Sequence, residues 1–208
     1  MAIQNSTLIF TSDKLIRTAL KKELENVYKG NQKVKIIEEL GIAQGIARID
    51  MVVVNGLIHG YELKSDRDTL NRLPEQMRVY NSVLDKITLV VGKKHLLNAF
   101  KIIPEWWGVT IAKIVDPAKE VSFYNIREAE MNPNQDIFAL TSLLWRQEAL
   151  NILEMIDKAD GVRSKNRSEV YIRLANVLDR SSLSAKVRES ICSRSNWRLD
   201  LSCIPNGD

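Results

Sequence analysis

Asp50, Glu62 and Lys64 are the side chains in this sequence best suited to chemistry, because their surroundings are wrong for charge. They lie in the stretch ARIDMVVVNGLIHGYELKSD, residues 47–66. Apolar residues (Ile49, Met51, Val52, Val53, Val54) precede Asn55-Gly56, and a mixed run with Leu57, Ile58, Tyr61 and Leu63 follows it. That composition suits two adjacent strands of a sheet covered on both faces. Burying two carboxylates and an ammonium there is costly unless they pair or hold a metal. A hard-cation site with a lysine beside it is the sharper reading. Mg²⁺, with Mn²⁺ as its substitute, suits such a pair, since Mg²⁺ is held by one or two carboxylates plus waters and phosphate oxygens. A structural ion pair between Lys64 and one of the acids is the alternative.

Register tests the idea. A two-residue Asn-Gly turn sets Val54 against Leu57 and Asp50 against Tyr61, so that Glu62 and Lys64 fall on the other face. One extra residue in the second strand restores the match. Either a bulge at Gly60 or a three-residue turn over residues 55–57 supplies it, and both bring Glu62 opposite Asp50.

An Asp followed on the next strand by Glu62-Leu63-Lys64 resembles the PD-(D/E)xK nuclease superfamily. Gln76 and Tyr80 form the Gln-xxx-Tyr that RecB-like members carry on the following helix. Residues 39–107 are similar to a bacterial family within that superfamily. The resemblance implies a restriction-endonuclease-like α/β core, a mixed central sheet flanked by helices. It also implies metal-dependent hydrolysis of phosphodiester bonds in nucleic acid, DNA foremost, with Asp50, Glu62 and Lys64 as catalytic residues. Such proteins often add an acid from the first helix or strand. Glu39 is the best candidate for this further metal ligand, with Glu38 and Glu23 as alternatives. Gln76 and Tyr80, one helical turn apart, would reach toward the metal or a nucleic-acid strand, and Arg48, Arg67 and Arg72 would hold phosphates. Members that cut both strands often act as dimers, so a homodimer is a further expectation.

The chain order around the motif agrees. An apolar stripe of Leu15, Ala19, Leu20, Leu24 and Val27 predicts a helix over residues 11–29, capped by Thr11 or Ser12 and ended by Gly30. A strand follows over residues 34–40, and a loop over residues 41–45 leads into the strand pair within residues 47–66. Pro74 opens a helix lined by Leu73, Met77, Tyr80 and Leu84. A strand at residues 86–92, reached through that helix, is expected to run parallel to its predecessor. A helix at residues 94–103, a strand at 109–115, a turn at Asp116-Pro117 and an edge strand at 121–124 complete the core. A polar stretch with Pro133 suggests a soft boundary between a core of residues 1–126 and a helical C-terminal extension of residues 134–208. Helices are expected there over 136–158 (capped by Asn134), 168–178 and 184–194.

With 208 residues, 45% hydrophobic and 27% charged, the chain has the composition of an ordinary globule with a real core. No apolar run approaches the ~20 residues of a membrane span, and no signal peptide is evident. The two cysteines, Cys192 and Cys203, are expected as reduced thiols in a cytoplasmic protein. The net charge is +4, yet residues 163–198 hold nine basic side chains against three acidic ones. A basic appendage beside a near-neutral core fits a polyanion. His59 is expected to be packed and His95 exposed. Trp106-Trp107 could stack on bases but reads more simply as a packing plug. A nuclease gripping the backbone through the basic extension is therefore the leading expectation. A non-catalytic nucleic-acid binder that keeps the fold is its rival.

Overall fold

The computed structural model describes residues 10–115 and 120–194. The expected Asp116-Pro117 turn, Cys203 and Arg198 lie outside the described residues. A six-stranded mixed sheet runs in sequence order: β1 (Lys35–Ile42), β2 (Ala47–Val54), β3 (Ile58–Lys64), β4 (Lys86–Gly92), β5 (Gly108–Val115) and β6 (Glu120–Arg127). The first three strands are antiparallel, β3, β4 and β5 are parallel, and β6 returns antiparallel. The parallel step is made by α2 (Leu73–Val83), because parallel neighbours need a crossover. The sheet is flanked by helices, and no helix among the described residues is long and apolar enough to cross a membrane.

One face of the sheet is covered by α1 (Asp13–Val27). Ile16, Leu20 and Leu24, spaced by four, pack on Met51, Val53, Leu63 and Val90. The expected stripe was rotated: Leu15 and Val27 are exposed at 45% and 66%. Ser12 starts the helix without a side-chain cap. Buried Thr11 instead donates from its main-chain N–H and hydroxyl to Asp66 Oδ2, at 2.9 and 2.7 Å, pinning the start of α1 to the end of β3.

The other face carries α2 and the C-terminal helices α4 (Ile137–Thr141), α5 (Arg146–Met155), α6 (Arg167–Val177) and α7 (Arg180–Ser193) over one continuous core. A short α3 (Leu96–Phe100) follows β4. The residues read as a linker are tied down. Asn132 donates from its side chain to the carbonyls of Asn81 and Leu84, and Gln135 to that of Val83. The single helix expected over 136–158 is two. Asp136, not Asn134, caps α4, accepting from Ala139 N at 2.7 Å. Trp145 begins α5 with extended backbone, its N–H donating to Glu148 Oε2 at 2.7 Å. Trp106 and Trp107 are buried as a packing plug. His95, expected at the surface, is 8% exposed, while His59 is packed and hydrogen-bonded to Thr88.

Candidate active site

The register is set by a three-residue turn. Val54 pairs with Ile58, Asn55 N donates to the Leu57 carbonyl at 3.1 Å, and Gly56 takes the left-handed φ of 89° that the turn demands. Gly60 is not a bulge. It is glycine because the sheet face closes over it: a Cβ there would lie 2.4 Å from Ile49 Cδ1 and 2.7 Å from Leu84 Cδ1. Continued past Met51–Tyr61, this register sets Glu62 across from Asp50. There Asp50 Oδ2 accepts from Leu63 N at 2.8 Å, a side chain serving as ladder acceptor.

Glu62 is 1% exposed, and both of its oxygens accept hydrogen bonds. Lys64 Nζ donates to its Oε1 at 2.6 Å, Gln76 Nε2 donates to the same oxygen at 2.8 Å, and the Tyr80 hydroxyl lies 2.9 Å from Oε2. Gln76 closes the network by accepting from Lys64 at 3.1 Å and donating to the Tyr80 oxygen at 3.2 Å. Gln76 and Tyr80 stand one turn apart on α2, whose face packs toward β2 and β3. Burial pushes the Glu62 carboxyl up from its ordinary range, Asp50's charge adds to this, and Lys64 opposes it.

Asp50 has a partner that sequence reasoning missed. Arg17 on α1 donates to Asp50 Oδ1 at 2.6 Å and to the Asp50 carbonyl at 3.0 Å, and is itself held by Asp13. Burial alone would lower the Arg17 pKa, but Asp13 and Asp50 outweigh it and raise it. The available signal was the spacing Ile16-Leu20-Leu24, which places Arg17 at the edge of the buried face. Arg17 and Lys64 thus offset the charges of Asp50 and Glu62.

Asp50, Glu62, Lys64 and Gln76 line one cleft of about 1420 Å³ between the sheet and the C-terminal helices. Arg48 and Arg72 line it too; Arg67 is exposed elsewhere and does not. Tyr80 is 0% exposed, so it positions Glu62 and the Arg48 carbonyl and does not reach a ligand. Glu39 reaches the cleft as well. Its φ of 58° is left-handed, the carboxylate is half-exposed, and it pairs with Arg48 at 3.4 Å. Among the described residues no three His, Cys, Asp or Glu side chains are gathered as a metal-ligand cluster. Of the alternatives, Glu38 lines the cleft but pairs with Lys21 at 2.6 Å, and Glu23 is exposed on α1.

Tyr80→Phe removes a hydroxyl placed between two acceptors, the Arg48 carbonyl and Glu62 Oε2. The variant is expected to lose about 1–3 kcal/mol in urea unfolding at neutral pH, because buried acceptors are left short of a donor. An unchanged midpoint would show that the hydroxyl supports neither group.

Fold and site together define an α/β protein with a paired-carboxylate cleft roofed by helices. The chain belongs to the bacteriophage P4 protein cII family, whose pattern matches residues 11–198. Protein cII of Enterobacteria phage P4 is 26% identical over 118 residues, covering 57% of this chain and 44% of that protein. The match therefore spans less than half of that relative's length. No solved structure matches the chain.

Proposed function

We propose that the chain is a metal-dependent nuclease of the PD-(D/E)xK type, hydrolysing phosphodiester bonds in nucleic acid, DNA foremost, in the cytoplasm. The observation that carries this reading is the convergence of Asp50, Glu62, Lys64 and Gln76 on one cleft, from two strands and a helix. The order of α1 and then β1, β2 and β3 agrees with the start of such a core, and α2 is the helix that carries Gln76 and Tyr80 after the motif.

The donor set fits a hard divalent ion. Asp50 Oδ1, Asp50 Oδ2 and Glu62 Oε2 each accept one hydrogen bond, and each keeps a lone pair. Asp50 and Glu62 would hold Mg²⁺ or Mn²⁺, with waters and phosphate oxygens completing the shell. A bound ion supplies a more acidic water and offsets charge building on the phosphate. Lys64, fixed by Glu62 and Gln76, has its ammonium at the cleft wall, where it orients the attacking water or stabilises charge on phosphorus. Arg48 and Arg72 position the backbone.

A second reading is favoured by the charge balance. With Arg17 on Asp50 and Lys64 on Glu62, each carboxylate already has a cation beside it without an ion, as a non-catalytic nucleic-acid binder would have it. Plasmid and single-stranded DNA incubated with Mg²⁺ or Mn²⁺ separate the two readings. The nuclease reading expects cleavage that chelator abolishes. Binding without cleavage under any divalent ion would transfer the case to the second reading.

A further inference from the structure

From the cleft's helical wall we infer that it takes single-stranded nucleic acid, with the Trp145 ring as a stacking platform for one base. This rests on the proposal that the cleft binds nucleic acid. The break between α4 and α5 is what delivers Trp145 to the wall that also carries Ser142 and Arg167. Trp145 is 38% exposed, whereas Trp106 and Trp107 are 8% and 0%. Among the described residues it is the tryptophan presented to the cleft.

The ring is held before any ligand arrives. The Arg194 guanidinium lies 4.4 Å from its centroid. Arg194 is anchored in turn by Glu148, at 2.7 and 2.5 Å, and by the Leu143 carbonyl at 2.7 Å. A preorganised aromatic loses little freedom on binding. Stacking accepts any base but needs one that is out of a duplex.

Charge argues the same way. Along the described lining, seven basic side chains meet seven acidic ones, so the cleft has no strong excess with which to grip a backbone by charge alone. Binding there depends on a contact that is not electrostatic, and its salt dependence is shallow compared with a phosphate-dominated interface.

The test is fluorescence anisotropy with the full chain in chelator, so that nothing is hydrolysed. The probes are a labelled DNA strand of about 12 nucleotides, the same strand as RNA, and the DNA duplex. Single strands are expected to bind at least about tenfold tighter than the duplex, with the DNA and RNA arms showing which is preferred. Trp145→Ala is expected to weaken single-strand binding about tenfold. Its main-chain bond to Glu148 survives the substitution, and circular dichroism checks the fold. Trp145→Phe, which keeps a stacking face, retains most of the affinity. Equal binding of duplex, or full single-strand affinity in Trp145→Ala, would overturn the inference while leaving the nuclease reading to its own assay. Failure of all three probes to bind would remove the inference and the nucleic-acid reading together.

Discussion

Lys64→Met is expected to lower folding stability by about 3–5 kcal/mol at pH 8, because breaking a buried ion pair strands the remaining charge. For a chain of this size that corresponds to a fall in Tm of about 6–20 °C. Glu62 is 1% exposed, and Lys64 is its one cationic hydrogen-bond donor among the described residues. Gln76 and Tyr80 remain as donors in the variant, but neither neutralises a charge. The sign of the pH dependence follows from the direction of the Glu62 shift. Burial already raises its folded pKa above the ordinary 4.5, and removal of the lysine raises it further. Such an acid is protonated in the native state at pH values where the unfolded chain has released the proton. Its contribution is therefore intact below the unfolded value and is lost as pH rises through the folded one. The Lys64→Met penalty should thus shrink as pH falls from 8 toward 4.5, and urea unfolding at the two ends measures it. A penalty that does not vary with pH would mean that Glu62 is not the group left uncompensated.

Asp50→Asn is expected to reduce cleavage at least about 100-fold, within the range that loss of a group acting in the transition state produces. Asparagine is the informative choice. Its carbonyl oxygen can still accept from Leu63 N, the bond that Asp50 makes at 2.8 Å, so the strand end stays in place. Asp50→Ala would in addition leave that N–H without its acceptor, at a cost of about 1–3 kcal/mol, and would confuse architecture with chemistry. Initial rates on single-stranded and plasmid DNA with Mg²⁺ or Mn²⁺, beside a chelator control, give the comparison. A wild-type rate in Asp50→Asn would take this carboxylate out of the reaction and point to a contaminant. Lys64→Met should be inactive in the same assay. Because it also loses stability, its rate has to be read at a temperature where it is folded.

Much of the frame was legible because it depends on local pattern. Apolar runs, Pro74 and the Asn55-Gly56 turn are short-range signals, and they placed β1 to β5, α2 and the parallel step. The pairing of Asp50 with Glu62 was readable because strand alternation leaves few registers, and only an extra residue puts both acids together. What decided between the two ways of inserting that residue was packing. Ile49 and Leu84 close over Gly60, so the strand stays regular there and the turn lengthens instead.

The partners of the site were not readable, because they come from afar in sequence. Arg17 meets Asp50 across 33 positions, and Trp145 reaches the cleft through a helix break that periodicity smoothed over. Glu39 reaches the cleft as expected, but its left-handed backbone and its pairing there with Arg48 could not be read from its position. By itself, then, the sequence determined that two acids and a lysine would sit among apolar strands, since alternation and burial follow from local chemistry. Tertiary structure alone decided which cations offset them and which aromatic ring faces the cleft. Those outcomes depend on how helices dock over a sheet, and no short stretch of chain encodes that.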